Sequence, residues 1–575
     1  MDFLSQINIT NSRRNEQTGE YILTVPIIEL KDEYFLNSTE NISITSNCNT
    51  IIKCLKITIT TIKRLHISNI NFESQITIRN SSEVTFSKCT ITNINYDKAA
   101  FLITNTQSAS LSNVKIINKN RIPSIMIDNH SKVTASELFV SDSIESLIVC
   151  NSESTFYIKD STIANTKANG IYASGGCKLK IENCHISSTD YPAIFIRNST
   201  AKILNNSIQN VKQNGISFES SKDVEVIGNK LTDIIGSSIS FQENSSGLIH
   251  QNKISNINGN GIFVKYDCDV TITENEISQV SYPGIAICMN SKALISSNII
   301  TNMEIYAISV RNAFDVTIEN CEINEIDQNG ISISDTKNCY VIKNKIKNCK
   351  GTAVEAYNGS NVKINDNQIL NMKEHAFLVF TSAFIKAENN KIDQIGKSLV
   401  KMIFKGGGEI INNDVKNCLT QKEGQTSSQY FLSKNGNFLG VTNIESRKSD
   451  DVEFNDEKIC DENIMCLKCN RRKRNAILAD CDHVVFCMEC SMKALYDHEE
   501  CPLCKFPIEK EPKSMPLMSE NICRFCGVKG QYCIINPCRH IQTGICPKCL
   551  SMWYRNTKRC PVCSKEPSTF KVLYV

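Results

Sequence analysis

From about residue 100 to residue 400 the chain repeats itself every 23 residues. One apolar column runs Leu102, Ile125, Ile148, Ile171, Ile194, Ile216, Ile239, Ile262, Ile285, Ile308, Ile331, Val354, Phe377 and Val400, and every step is 23 except one of 22. A fixed period of this length means one structural unit stacked on copies of itself, none able to bury its apolar face alone. A second column is Asn206, Asn229, Asn252, Asn275, Asn298, Asn344, Asn367, Asn390 and Asn413, interrupted by Cys321. Two residues after each member lies an aliphatic third column, from Ile208 and Leu231 to Ile392 and Val415. Within a repeat, pieces such as Ile216-x-Phe218 and Val224-x-Val226 alternate with strand period and are rich in β-branched residues. No stretch keeps helical spacing, and the Leu-x-x-Leu-x-Leu signature of leucine-rich horseshoes is absent.

Three short strands per turn, stacked by a constant repeat, predict a mainly-β protein: a right-handed, three-sided parallel β-helix with 23-residue coils. Identical residues then stack about 4.8 Å apart, and the Asn column becomes an internal ladder whose carboxamides satisfy turn backbone that has left the sheet. Regular coils are expected from about residue 75, with earlier coils and a cap before them. Cys349 and Cys418 fall in the row of Val211, Ile234, Ile257, Val280, Met303, Ile326, Met372 and Ile395, and Cys339 in that of Val224, Val270, Val316 and Val362. These thiols are read as small apolar core residues.

The C-terminal fifth follows a different logic. Cys466-x2-Cys469, Cys481-x-His483, Cys487-x2-Cys490 and Cys501-x2-Cys504 are followed by Cys523-x2-Cys526, Cys538-x-His540, Cys546-x2-Cys549 and Cys560-x2-Cys563. Eleven residues separate the first pair from Cys-x-His in both copies, and ten separate the third pair from the last; the His-to-Cys gap is three residues, then five. Each copy supplies eight soft ligands, enough for two tetrahedral zinc sites, so four Zn²⁺ per chain are expected. A segment this small has little other core, and metal binding becomes its folding energy.

The pattern resembles the RING finger of ubiquitin ligases. The run 481–490 is similar to the RING of inhibitor-of-apoptosis proteins, and 549–553 to that of the Cbl ligases. The resemblance implies interleaved ligation: Cys466, Cys469, Cys487 and Cys490 on one ion, Cys481, His483, Cys501 and Cys504 on the other. In the second copy it implies Cys523, Cys526, Cys546 and Cys549 on one, and Cys538, His540, Cys560 and Cys563 on the other. It also implies partners: ubiquitin and a ubiquitin-conjugating enzyme (E2), held by Leu467 and Pro502, with Lys505 at the position of a cation that bridges E2 and ubiquitin. In the second copy Trp553 and Pro561 fit the E2 groove, while Arg524 and Ser564 depart from the pattern. The first RING is therefore the expected activator. The alternating tail Phe570–Val575 resembles the short apolar tails through which some RINGs dimerise.

The expected organisation is an N-terminal segment 1–20, β-helix 21–418, end cap and linker 419–459, first RING 460–508, proline-containing connector 509–519, and second RING with tail 520–575. The formal net charge of +3 gives no pull toward nucleic acid or membrane. After residue 459 the excess of 18 Lys and Arg over 12 Asp and Glu is cancelled once fourteen thiolates hold four Zn²⁺. Arg471, Arg472, Lys473 and Arg474 are read as a solvated loop rather than an import signal. With no apolar leader, no run long enough to span a bilayer, and unpaired thiols, the expected compartment is the cytoplasm, or the nucleus.

The repeat also resembles the β-helices of carbohydrate-binding proteins and sugar hydrolases, and the recognition part of some F-box ubiquitin ligases. Three functions follow: an E3 ligase whose coils bind a protein substrate, a polysaccharide lyase or hydrolase with appended zinc modules, or a non-catalytic scaffold. The outward rows show no Asp-Asp pair, no Gly-His-Gly and no Arg-Ile-Lys, so the first is preferred. The candidate substrate face is Tyr172, Phe195 and Phe263 beside Arg197 and Lys265.

Overall fold

Left-handed residues divide each repeat into three strands. In one coil the strands are Ile239–Gln242, Ser246–His250 and Lys253–Ile257. Glu243 and Asn244 take positive φ after the first strand, Gln251 after the second, and Asn256 bulges the third. The bulge recurs at Asn165, Asn210, Asp233, Asn302, Asn348 and Asn371. Asn and Asp enter this region at least cost among residues with a Cβ, which is one reason the chain is so rich in asparagine. The computed structural model describes residues 2–8, 12–15, 20–38, 40–92, 99–403 and 406–424. In the C-terminal part it describes 468, 476–478, 486, 488–496, 499–500, 507–508, 513–514, 532–536, 540–542 and 569–573.

The result is a right-handed parallel β-helix in which 50 strands join one continuous sheet. Register follows the 23-residue columns: Ile239 pairs with Ile262, Ile262 with Ile285, and Ile285 with Ile308. One assignment is corrected. Phe101, not Leu102, pairs with Ile125, because the preceding coil is one residue longer. Leu102 therefore lies beside Met126, outside the inward column. Phe101 instead packs edge-on against Phe86 at 5.2 Å, and Phe86 tilts against Phe72 at 6.1 Å. At the N-terminus a short helix, Phe3–Asn8, buries Phe3 and Ile7 on the end of the core. At the other end strand pairing runs on to Gly424, past the boundary at 418.

The asparagine column is a fully buried ladder. Asn252 donates from Nδ2 to Val226 O at 2.8 Å, His250 O at 3.1 Å and Asn275 Oδ1 at 2.9 Å. Its own Oδ1 accepts from the backbone N–H of Asn229 at 2.9 Å and from Asn229 Nδ2 at 3.0 Å. Each side chain thus joins three coils and satisfies turn groups that water cannot reach. At Cys321 a thiol takes the place of the carboxamide. Asn298 Nδ2 points at its sulfur at 3.9 Å, while the Cys321 N–H still bonds Asn344 Oδ1 at 2.9 Å.

A second ladder escaped the sequence reading. Ser131, Ser154, Cys177, Ser199, Ser221, Ser245, Cys268, Ser291, Thr336 and Ser360 stack at the turn before the second strand. The serine hydroxyls among them cap N–H groups of the preceding coil, as Ser245 does for Ser221 at 3.1 Å and Ser291 for Cys268 at 3.2 Å. Beside the isoleucine column, a Cβ on Gly261 would lie 2.4 Å from Gly284 O, so adjacent coils approach here only over a glycine.

Inward thiols behave as core. Cys349 pairs with Ile326 and Met372, and Cys339 with Val316 and Val362. Burial pushes both thiols up to about 12, so they stay protonated at neutral pH.

Two substitutions test the ladder. Asn275→Ala leaves two N–H donors of Asn252 without their acceptor and should lower stability by about 3 kcal/mol. Cys321→Asn should complete the ladder and raise the urea midpoint; an unchanged midpoint in both would contradict the account.

Candidate functional site

By contacts the chain divides into residues 1–442 and 443–575. In the second unit the helix Met488–Tyr496 starts one residue after Cys487 and carries Cys490 in its first turn. Leu478, Phe486, Ala494 and Ile508 form a small buried cluster, with Cys490 and Leu495 packed against it. Glu500 bridges Pro507, and Ile508 N donates to Glu499 O at 3.0 Å. In sequence these contacts enclose the segment that carries Cys501 and Cys504. Ala476–Ile477 pairs antiparallel with Lys513–Ser514. A strand ahead of the Cys-x-His element thus pairs with one beyond the last ligand pair.

The second copy repeats this placement. Tyr532–Asn536 precedes Cys538 and His540 and pairs antiparallel with the tail strand Thr569–Leu573. His540 begins the strand His540–Gln542, on the other side of Tyr532–Asn536. The alternating tail is therefore a strand, and one of its edges is used within the chain.

The other proposed ligands lie outside the described residues: Cys466, Cys469, Cys481, His483, Cys487, Cys501, Cys504, Cys523, Cys526, Cys538, Cys546, Cys549, Cys560 and Cys563. So do Leu467, Pro502, Lys505, Trp553 and Pro561, and of His540 only the backbone is described. The donor set, eight thiol or imidazole groups at RING spacing with an apolar cluster beside Cys490, fits zinc.

On the β-helix the five candidate face residues form two groups rather than one. Tyr172 and Phe195 sit on adjacent coils with ring centroids 5.6 Å apart, and Arg197, on the same strand as Phe195, pairs with Glu219 at 3.5 Å. Phe263 lies three coils on, about 14 Å at the sheet spacing. Lys265 lies over Phe263 at 5.4 Å and over Tyr266 at 5.0 Å. Between the groups Ser217 and Ser240 are buried.

A third constellation on this face was missed. The row of Tyr172 and Phe195 continues from Ser332 to Glu355, and one more step of 23 would have found it. Glu355 is only 5% exposed and accepts from Ser332 Oγ and Asn329 Nδ2, both at 2.6 Å. Two residues on, Tyr357 stacks on Phe380 at 5.0 Å with planes 2° apart. Burial, and next the Glu355 charge, push the Tyr357 phenol above its ordinary range. The carboxyls that shift are lowered and lie elsewhere. Lys180 beside Glu182, Lys212 beside Asp190 and Lys345 beside Glu322 hold them below the usual carboxylate range, as surface ion pairs do rather than a general acid.

The model for "Right handed beta helix region" matches residues 146–298 and 283–443. Together these matches span more than half of the chain, which belongs to the right-handed β-helix family. A second model, "Zinc finger, C3HC4 type (RING finger)", matches residues 462–510, so a RING finger follows the coils. No curated protein matches the chain. Among solved structures, the periplasmic alginate epimerase AlgG is 12% identical, covering 72% of this chain and 84% of its own, with a TM-score of 0.25. The PL6 family alginate lyase AlyGC is 10% identical over 72% and 88%, with a TM-score of 0.27. Tailspike protein 3 of bacteriophage CBA120 is 10% identical over 56% and 52%, with a TM-score of 0.25. Likenesses at this level say nothing of activity.

Phe486→Ala would open a cavity in the cluster beside Cys490, at a cost of about 3–5 kcal/mol. Zinc should then be lost to a chelator much faster than from the unaltered chain, as read with a zinc-sensitive dye; equal rates would show that the cluster does not support the metal.

Proposed function

We propose that the protein is a RING-type E3 ubiquitin-protein ligase in a single chain, whose coils recruit a protein substrate and whose C-terminal unit engages E2 charged with ubiquitin. The observation that carries this is the C3HC4 match at 462–510, in which Cys466, Cys469 and Cys481, then His483, then Cys487, Cys490, Cys501 and Cys504 fall in the order the family name describes. The coils, by contrast, offer ion-paired surface carboxylates rather than a clustered catalytic pair.

The reading extends to tandem RINGs, the first of inhibitor-of-apoptosis type, and to coils of the kind found in F-box ligases. The shared placement of strands, Ala476–Ile477 with Lys513–Ser514 and Tyr532–Asn536 with Thr569–Leu573, supports a second domain built like the first. Four zinc ions, ligated in the interleaved manner, serve as structural centres that fold the two small domains. The chain's own contribution to the chemistry is positioning: Leu467 and Pro502 hold E2, and Lys505 bridges to ubiquitin, biasing the thioester toward attack. Trp553 and Pro561 give the second domain a supporting E2 contact. The edge of the tail strand that is unpaired among the described residues offers a route to a RING dimer. Free buried thiols beside a zinc-thiolate unit favour a reducing compartment, the cytoplasm or nucleus.

Metal analysis of protein purified without chelator should return four zinc ions per chain; two would remove the second RING, and none would remove both. With E1, a compatible E2 and ubiquitin, the chain should modify itself. Leu467→Ala with Pro502→Ala should abolish most of that activity, while Trp553→Ala should reduce it less. The reverse order would make the second RING the activator.

A further inference from the structure

Among the described cysteines, Cys150 and Cys177 are the pair whose sulfurs meet, 3.5 Å apart. Cys150 ends the strand Ile148–Cys150 and faces the core. Cys177 lies one coil further on, in the serine ladder, where its N–H bonds Ser199 Oγ at 3.0 Å. Both are fully buried, yet Cys177 follows an exposed turn in which Gly175 and Gly176 take φ of 75° and 80°. Three backbone bonds hold this turn to its neighbours: Ser174 N–H to Cys150 O at 2.9 Å, Glu153 N–H to Gly175 O at 2.8 Å and Gly176 N–H to Asn198 O at 2.7 Å. A local opening that breaks these bonds, with the coils left folded, would give a small oxidant access to this sulfur.

We propose that Cys150 and Cys177 are a modification site: a dithiol that hydrogen peroxide converts to a reversible disulfide stapling two successive coils. A disulfide requires sulfurs about 2.05 Å apart, so the two sulfurs must close roughly 1.5 Å, and the turn at Gly175 and Gly176 must shift with Cys177. By contrast, Cys339 and Cys349 stack between Val316 and Val362 and between Ile326 and Met372, with aliphatic neighbours on both coils.

The order of events follows from the hydrogen bonds. The Cys150 thiol donates to the Cys177 sulfur, which lowers the Cys177 thiol below its ordinary range and raises that of Cys150. Cys177 is therefore the first nucleophile. Its sulfur attacks one peroxide oxygen, the O–O bond breaks, and water leaves with the thiol proton. The Cys150 sulfur then attacks the sulfenic sulfur, the S–S bond forms, the S–O bond breaks, and a second water leaves with the Cys150 proton. Two thiols are oxidised and one peroxide is reduced. The staple lies beside the candidate recognition face, since Tyr172 belongs to the strand Ile171–Ala173 that leads into this turn.

The test uses the full chain exposed to graded hydrogen peroxide, freed of peroxide, unfolded in guanidinium with iodoacetamide present, digested with trypsin and read by mass spectrometry. Each thiol falls in its own tryptic peptide, 133–159 and 168–178, and neither contains another cysteine. The expected product is these two peptides joined, lighter than their sum by two hydrogens and separated by dithiothreitol, while Cys339 remains alkylated. Cys150→Ser should abolish the joined product and leave Cys177 to over-oxidise. Recovery of both peptides alkylated at peroxide levels that oxidise the C-terminal thiols would overturn the proposal. So would Cys177 joined to a cysteine other than Cys150.

Discussion

The β-helix depends on the side-chain amide of asparagine bonding to the coil above and the coil below. A three-sided coil must leave the sheet at each corner, and every departure strands backbone N–H and C=O groups inside the stack. The Asn206-to-Asn413 ladder meets this need at one corner, and hydroxyls from Ser131 to Ser360 meet it at another. The asparagine column keeps a strict 23-residue spacing, whereas the hydroxyl column keeps its bonds across spacings of 22 and 24. Constant coil length keeps the isoleucine columns in register, and these in turn place outward rows one above another. The candidate recognition face is a consequence of that chain of constraints.

Much of this architecture was legible before any coordinates. Asn and Ile announce themselves because one residue type recurs with little substitution, and the rows of Cys339 and Cys349 followed by counting. The serine ladder was harder to see, since Ser, Cys and Thr share the work and the period slips to 22 and 24 residues around Ser199, Ser221 and Ser245. Leu102 was misplaced for a related reason: an early coil has an extra residue, and Leu102 and Phe101 are equally apolar. Periodicity alone does not choose between neighbours; packing against Phe86 does.

The site was legible in uneven measure. The C3HC4 pattern at 462–510 is readable from spacing because zinc imposes both residue type and separation, whereas a recognition face carries no such chemistry. The row of Tyr172 was traced correctly, yet Ser217 and Ser240 in it are buried, and the face separates into two aromatic groups. Glu355 was overlooked because nothing in an isolated glutamate distinguishes a solvated carboxylate from one held by Ser332 and Asn329. Burial, not residue type, makes it unusual.

Under the proposed function the coils would select and the C-terminal unit would activate. The division is tested most directly by single-turnover discharge, in which E2 pre-charged with ubiquitin through its thioester is mixed with excess free lysine and the full chain. The chain should accelerate loss of the thioester well above E2 alone, with no substrate present, and zinc removal should abolish the effect. Discharge no faster than with E2 alone across a broad panel of conjugating enzymes would contradict the assignment of ligase chemistry to this protein.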